Sequence, residues 1–511
     1  MNIKDLLFVM VMALITTWAF EYFFFGRKPF QHMQETAQSS QQFHVPEQKR
    51  ELKPLNREMD FIDTTRSVET QLYAVETDHA IYSFSTDGGT LDSITFKEAR
   101  DGKQIELKTI TPLDETQKEE RCFLVALNQK TPFFYTLHDQ RDEEDRVIVT
   151  YKADAHDASI EKTFTIHKKT YQVDLALTIH PKKGAVEPRI IFPSPFMREI
   201  MEQDKYSAIM TNEQGAVVVE KDLKKLEENG WFMPTLFGTA NKYFVHAMVK
   251  DEEKFAQRAY YSQLGSEHLI TFLEGPSITE TKTWHLSFYL GPKTEEGMNP
   301  VDSRLTKTLD YAGWLTPISQ ALLKLMKFLH RYLHNYGLVI IAVTVLLKLI
   351  LLPFTLNGEK KAKEHKDFQK KMDYIQKKYK NDPETLKLEQ AELIKKHGLP
   401  GLSGCLPMFI QLPLFFALNP ILGSSLHLYK APFLWIADLS SRDPYFILPV
   451  CIVLCMVVQA LSLDKQGRMP ALAVALVIAA VSINFSAGLS LYIFTSALLG
   501  LLQSMIQKKV A

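Results

Sequence analysis

Apolar residues are laid out in two ways along this 511-residue chain. From roughly residue 30 to 310 they alternate with polar ones, and elsewhere they gather into long runs. Alternation with period two marks a half-buried strand, because successive side chains of an extended backbone point to opposite faces. Tyr171, Val173, Leu175, Leu177 and Ile179 alternate with Gln172, Asp174, Ala176 and Thr178. The pattern recurs at Val147-Val149-Tyr151, Tyr243-Val245-Ala247-Val249 and Leu286-Phe288-Leu290, and Asp87-Gly88-Gly89 supplies a tight turn between two such runs. These signals predict a large external all-β domain over 61–310, an antiparallel two-sheet sandwich. The stretch before it, 26–60, is rich in Gln, Glu and Lys and predicts a flexible linker.

The long runs lie at 6–25, 338–356, 406–422, 445–463, 470–485 and 489–506. A bilayer core about 30 Å thick takes roughly 20 apolar residues as helix. The first run ends in Phe23-Phe24-Phe25-Gly26 with no small-residue cleavage site, so it predicts an uncleaved anchor over 1–25. Lys and Arg in short loops set the orientation. The loop after the second run is dense in Lys, Lys465 and Arg468 follow the fourth, and Lys508 and Lys509 follow the sixth; 423–444 carries only Lys430 and Arg442. Both termini are therefore expected in the cytoplasm and the β-domain outside, with Arg27 and Lys28 outvoted. The plan becomes a membrane α-helical core of six spans plus the external domain. Its later parts are an amphipathic helix at 311–336, spans at 337–357, 405–422, 445–463, 470–486 and 488–506, a cytoplasmic helical hairpin at 358–404, an outer loop at 423–444, an inner loop at 464–469 and a basic tail at 507–511.

In the amphipathic helix, Trp314, Leu315, Ile318, Leu322, Leu325, Met326 and Leu329 form one face and Lys324, Lys327 and Arg331 the other. That pattern suits a helix lying in the outer interface, with a core helix of the β-domain as the alternative. Two spans are short, about 24–26 Å at 1.5 Å per residue, which favours local thinning of the bilayer. In the hairpin, Phe368, Met372, Ile375 and Tyr379 have the spacing of a packing seam. Asp382 then serves as N-cap and Pro383 as first residue of the second arm. Its lysines, among them Lys370, Lys371, Lys377 and Lys378, suit RNA or anionic lipid, or simply a solvated face.

Whole-chain composition hides this division: Lys plus Arg and Asp plus Glu are 59 each, and 46% of residues are hydrophobic. The 4 cysteines point to no disulfide framework; Cys451 and Cys455 could bind metal but have no third ligand nearby and read as small helix residues. No Walker loop, nucleophile elbow or paired-carboxylate motif stands out, and the histidines of the β-domain are scattered. The informative residue is Lys348, near the middle of the second run. A cation at that depth costs roughly 2.5–3.5 kcal/mol on insertion scales. Its stem of about 6 Å does not span the roughly 12 Å of helix to the cytoplasmic end, which favours a water-filled groove over snorkelling. Thr344, Gln411, Gln459, Asn484, Thr495 and Ser496 could line such a groove, although each alone could be a helix–helix hydrogen bond.

The segments resemble the YidC insertases, relatives of the mitochondrial oxidase-assembly and chloroplast Albino-type insertases. Gly404-Cys405-Leu406-Pro407 with Gln411-Leu412-Pro413-Leu414-Phe415 looks like that family's third helix. Ala431-Pro432-Phe433 and Asp443-Pro444-Tyr445 look like its outer loop, and Gly488-Leu489 with Leu491-Tyr492 like the start of its last helix. The resemblance implies a bacterial inner-membrane location, a periplasmic β-supersandwich and a groove cation, usually Arg, that is here Lys348. Thr344 and Gln411 match groove-lining positions, and the family's tyrosine pair is here Tyr492-Ile493. It also implies nascent membrane proteins and the bilayer as partners, with a Sec translocon and the ribosome, and no cofactor, DNA, small-molecule substrate or enzymatic step. The rival readings are a secondary solute transporter and a membrane-tethered sugar-processing enzyme.

Overall fold

The computed structural model describes residues 54–62, 69–100, 103–110, 118, 121–196, 206–212, 215–226, 230–264, 268–309, 315–379, 383–397, 406–462 and 465–510. The predicted anchor at 1–25, most of the predicted linker, Trp314, Asp382 and Cys405 lie outside these residues. The chain divides into two compact units, one built from 53–310 with 424–427 and one that holds 311–423 and 428–511.

The first unit is a sandwich whose second layer is split. Nine strands form its largest sheet, every neighbouring pair antiparallel. Its centre is Phe244–Asp251, Lys282–Pro292, Gln172–Pro181, Ala158–His167 and Arg146–Asp154. The predicted alternation holds in Gln172–Pro181, where Val173, Leu175, Leu177 and Ile179 are buried. In Phe244–Asp251 both faces are buried, since Phe244, His246 and Met248 point inward while Val245, Ala247 and Val249 join a second apolar cluster with Met298 and Leu305. The facing layer consists of a seven-stranded and a four-stranded sheet rather than one. Phe288 of the large sheet meets Phe192 of the seven-stranded sheet at 5.5 Å, and Phe244 stacks on Phe96 of the four-stranded sheet at 4.7 Å. Gly88 and Gly89 make the predicted turn with φ of 69° and 53°, a region that favours glycine.

The end of the predicted linker 26–60 is part of this unit. Asp60–Ile62 pairs in parallel with Lys130–Pro132, and Leu55, Met59 and Phe61 pack on the core. Arg189, fully buried, donates to the carbonyls of Asn56, Glu58 and Asn128 at 2.5, 2.8 and 2.6 Å. Those three carbonyls take up the two terminal nitrogens of a cation that burial would otherwise leave costly, while its Nε has no partner among the described residues.

The second unit is helical: α1 Thr316–Leu333, α2 Tyr336–Lys378, α3 Pro383–His397, α4 Leu406–Ser424, α5 Ile447–Leu461, α6 Lys465–Ser482 and α7 Ala487–Val510. The α2 helix runs unbroken through 357/358, so the predicted span and the first arm of the hairpin are one 43-residue helix. Pro353 inside it removes one backbone donor, and the good helix formers after it carry the helix on. Likewise α4 runs through Pro413 and Pro420 to Ser424, α6 takes in most of the predicted loop 464–469, and α7 most of the tail 507–511. Apolar runs record bilayer depth, and helix ends are set by caps, so the two need not coincide. Among the described residues, Tyr336–Pro353 and Ala487–Ile506 are long and apolar enough to cross a membrane, while Pro413–Ser424, Ile447–Leu461 and Ala471–Ser482 are shorter.

The amphipathic helix is α1. Its seam of Ser319, Leu322 and Met326 is buried, and the Ser319 hydroxyl donates to the Ala417 carbonyl of α4 at 2.9 Å. His334, in left-handed conformation, ends α1, and the Asn335 side chain caps α2 by accepting from the Gly337 and Leu338 amides.

Candidate functional site

Burial in the helical unit is lopsided. A cluster of buried apolar residues gathers the start of α2 (Val339, Ile340, Val343), the end of α4 (Ala417, Leu418, Ile421), the start of α5 (Leu448) and the start of α7 (Leu489, Leu491, Tyr492). In the other direction the packing thins. Among the described residues, none from 345 to 353 in α2, from 411 to 416 in α4 or from 496 to 506 in α7 is buried. Among the described residues one end of the bundle is a closed core, and toward the other end burial is sparse, with Ala460 of α5 buried there.

Lys348 sits where that change occurs. Tyr336, Val339, Ile340, Val343, Thr344 and Leu347 form the inward seam of α2 at three- and four-residue spacing. Lys348 continues the line of Ile340 and Thr344 by one more turn and is half-buried, while Leu349 and Ile350 beside it are exposed. Its ammonium makes no hydrogen bond or ion pair among the described residues.

On α4, Gln411 donates its side-chain amide to the Tyr492 hydroxyl and, at 3.4 Å, to the Ser496 hydroxyl, both on α7. The structure thus brings three predicted residues into one polar group. Gln459 of α5 comes to α7 at a different point, beside Gly500, where a methyl group would lie 3.7 Å from the amide nitrogen. The structure places three other predicted residues apart from this group. Thr344 and Thr495 are buried in the packed end, and their hydroxyls donate back to the carbonyls of Ile340 and Leu491 at 2.6 and 2.8 Å. A threonine inside a helix finds that carbonyl within reach, so it needs no water. Asn484 lies exposed in the turn between α6 and α7, beside the packed end and away from Gln411.

The end of α2 and α3 form the predicted hairpin. Ile375 is buried, and the Tyr379 hydroxyl donates to Glu389 of α3 at 3.3 Å. Pro383 opens α3 as expected. Lys371, Tyr374, Ile375 and Leu393 line a shallow cleft of about 330 Å³. Lys371, Lys377 and Lys378 are exposed; Lys378 lies 5.0 Å from the centre of the Tyr379 ring, and its hydrogen bond to Tyr379 lifts the ammonium above the ordinary lysine value. Lys370 lies within α2, with its side chain outside the described residues.

Sequence reasoning missed the joints that hold the closed end. The Asp443 carboxylate accepts from the indole of Trp435 at 3.1 Å and from the Leu448 amide at 2.7 Å. Gly337 is pressed against Phe433, where an added methyl would fall 2.1 Å from the ring. The Asp-Pro ahead of an apolar run was a visible capping signal for the first; the second has none.

Comparison with known proteins bears on both units. A family model described as the YidC periplasmic domain matches residues 72–325, and one described as the 60Kd inner membrane protein matches residues 328–511. The membrane protein insertase YidC of Geobacter metallireducens is 30% identical over 462 residues, which is 86% of either chain. That of Geotalea daltonii is 27% identical over 524 residues, 96% of either chain. A crystal structure of an active YidC insertase with its first transmembrane domain resolved shares 20% identity over 86% of this chain and 93% of that one, with a TM-score of 0.36. With the β-unit and the helical unit matched in order along nearly the whole chain, this protein belongs to the YidC membrane protein insertases, inner-membrane proteins that carry a periplasmic domain.

Proposed function

We propose that the open end of the helical unit is where a nascent segment enters, and that Lys348 draws its polar flank. The observation that carries this is the lopsided burial: a half-buried cation with no carboxylate partner among the described residues, at the point where a closed apolar core gives way to the polar group of Gln411, Tyr492 and Ser496. Water reaching that end would solvate a polar stretch part of the way across, and the short apolar segments of α4 and α6 would thin the bilayer over the remainder. The hydrophobic part of the segment moves into lipid, driven by the transfer of its apolar surface from water. No covalent step is required, so the protein is an insertase and chaperone rather than an enzyme.

In this reading the chain crosses the inner membrane six times, with both termini and the α2–α3 hairpin in the cytoplasm. The lysines of the hairpin offer a cationic face to the ribosome, and a Sec translocon shares the larger clients. The domain limits follow the helix ends given above, with the periplasmic unit beginning at about residue 54.

Insertion of a small one- or two-span substrate into liposomes holding only this protein tests the proposal, read as protease protection of the substrate's outer loop. Lys348→Ala should lower protection several-fold and Lys348→Glu more, whereas Lys348→Arg should preserve it. Unchanged insertion by both Ala and Glu variants removes the charge from the mechanism. Loss of insertion by the Arg variant shows that charge alone is not what the site supplies.

A further inference from the structure

We infer that the loop between α4 and α5 carries a rigid apolar tip that dips into the outer leaflet, its partner being the glycerol and upper acyl region of the phospholipids. The inference rests on the helical unit crossing the bilayer.

The tip is a two-residue turn. Phe433 and Ile436 exchange backbone hydrogen bonds at 2.8 and 2.9 Å, and Leu434 between them has φ of 52° and is 76% exposed. Glycine or asparagine would occupy that left-handed position with less strain, so a bulky leucine there, turned away from the protein, serves no packing purpose. Phe446 has φ of 55° and is also exposed, next to Tyr445, which is 69% exposed.

The platform beneath is fixed. Phe433 is wedged against Gly337 at the start of α2, Asn335 donates to the Pro432 carbonyl at 3.1 Å, and the Ala487 and Gly488 amides of α7 donate to Ser441 and Leu439. Such a tip has little conformational freedom to lose when it meets a surface.

Lipid is favoured over another polypeptide by continuity. Ile447, Val450, Leu454, Val458 and Leu461 form one exposed apolar stripe along α5 at three- and four-residue spacing, and Tyr445 and Phe446 extend it beyond the start of the helix. Exposed Arg442 stands beside them, where it can meet phosphate. An aromatic residue and a cation above an apolar stripe is the pattern of a membrane–water boundary.

Nitroxide labels on the full-length protein in phosphatidylethanolamine–phosphatidylglycerol nanodiscs test this. Single sites Leu434→Cys, Arg442→Cys and Leu454→Cys are labelled after Cys122, Cys405, Cys451 and Cys455 are replaced by Ser. Collisions with oxygen report lipid and collisions with a nickel chelate report water. Oxygen should dominate at 434, at a depth shallower than 454, and nickel at 442. Nickel dominating at 434 while 454 stays in lipid would overturn the tip. Nickel dominating at 454 as well would instead overturn the membrane placement on which it rests. Weak collisions with both at 434 would mean that polypeptide, a second copy or a client segment, covers the tip.

Discussion

Two buried basic residues in the β-unit show how much a single position decides. In Ala158–His167 the inward set is Ala158, Ile160, Lys162, Phe164 and Ile166. The Lys162 ammonium donates to the carbonyls of Gly88, Gly89 and Phe123 at 2.7, 3.2 and 2.7 Å, so it pins the double-glycine turn from inside. Burial pushes its pKa well below the ordinary lysine value. Its parity with four apolar residues was legible in the sequence, but its acceptors were not. His246 is also buried, and burial pushes its pKa down to about 4 from the ordinary 6.5, against a weaker opposing pull from the Pro193 carbonyl 3.2 Å away. The unfolded chain then takes up a proton below about pH 6.5 that the folded chain refuses until about pH 4. Stability is therefore complete above about 6.5 and falls through that window, by about 3 kcal/mol for this group. Hydrogen exchange of the Phe244–Asp251 amides in the full-length protein, corrected for intrinsic rates, should show opening that becomes easier from pH 7 to 5. His246→Phe should flatten that slope; an unchanged slope would assign it to other groups.

At the scale of elements, the apolar runs located the helices but not their ends. A run measures how much chain suits hydrocarbon, whereas α2 continues through a charged segment because backbone hydrogen bonding and helix-forming residues carry it. The Gly337–Phe433 joint is equally local in cause and invisible in pattern. Gly337→Ala would put a methyl group 2.1 Å from the Phe433 ring. The ring must move, and with it the α4–α5 loop, at a cost of about 1–3 kcal/mol typical of overpacking. The thermal midpoint of the purified protein in detergent should fall accordingly. Adding Phe433→Ala to Gly337→Ala should restore part of the loss, which is the non-additivity expected of two groups in contact; strictly additive effects would place the strain elsewhere.

At the scale of the whole molecule, all the residues of the polar group and the closed core belong to the helical unit. Removing 54–310 should therefore leave liposome insertion of a small client measurable and still sensitive to Lys348→Ala. Complete loss of insertion by a folded variant would give the β-unit a direct part in the reaction. What the sequence determined by itself were properties that sum along the chain: runs long enough for a bilayer, the bias of Lys and Arg between loops, and the parity of strands. Tertiary structure alone decided which end of the bundle closes, and which polar groups remain to face what enters the other. Thr344 and Thr495 look as suitable as Ser496 in sequence, yet they are buried and turned on their own helices. Gln411 finds Tyr492 across 81 residues of chain. Such pairings depend on how distant helices pack, and the energy of a polar group in a membrane depends on whether packing gives it a partner, water or neither.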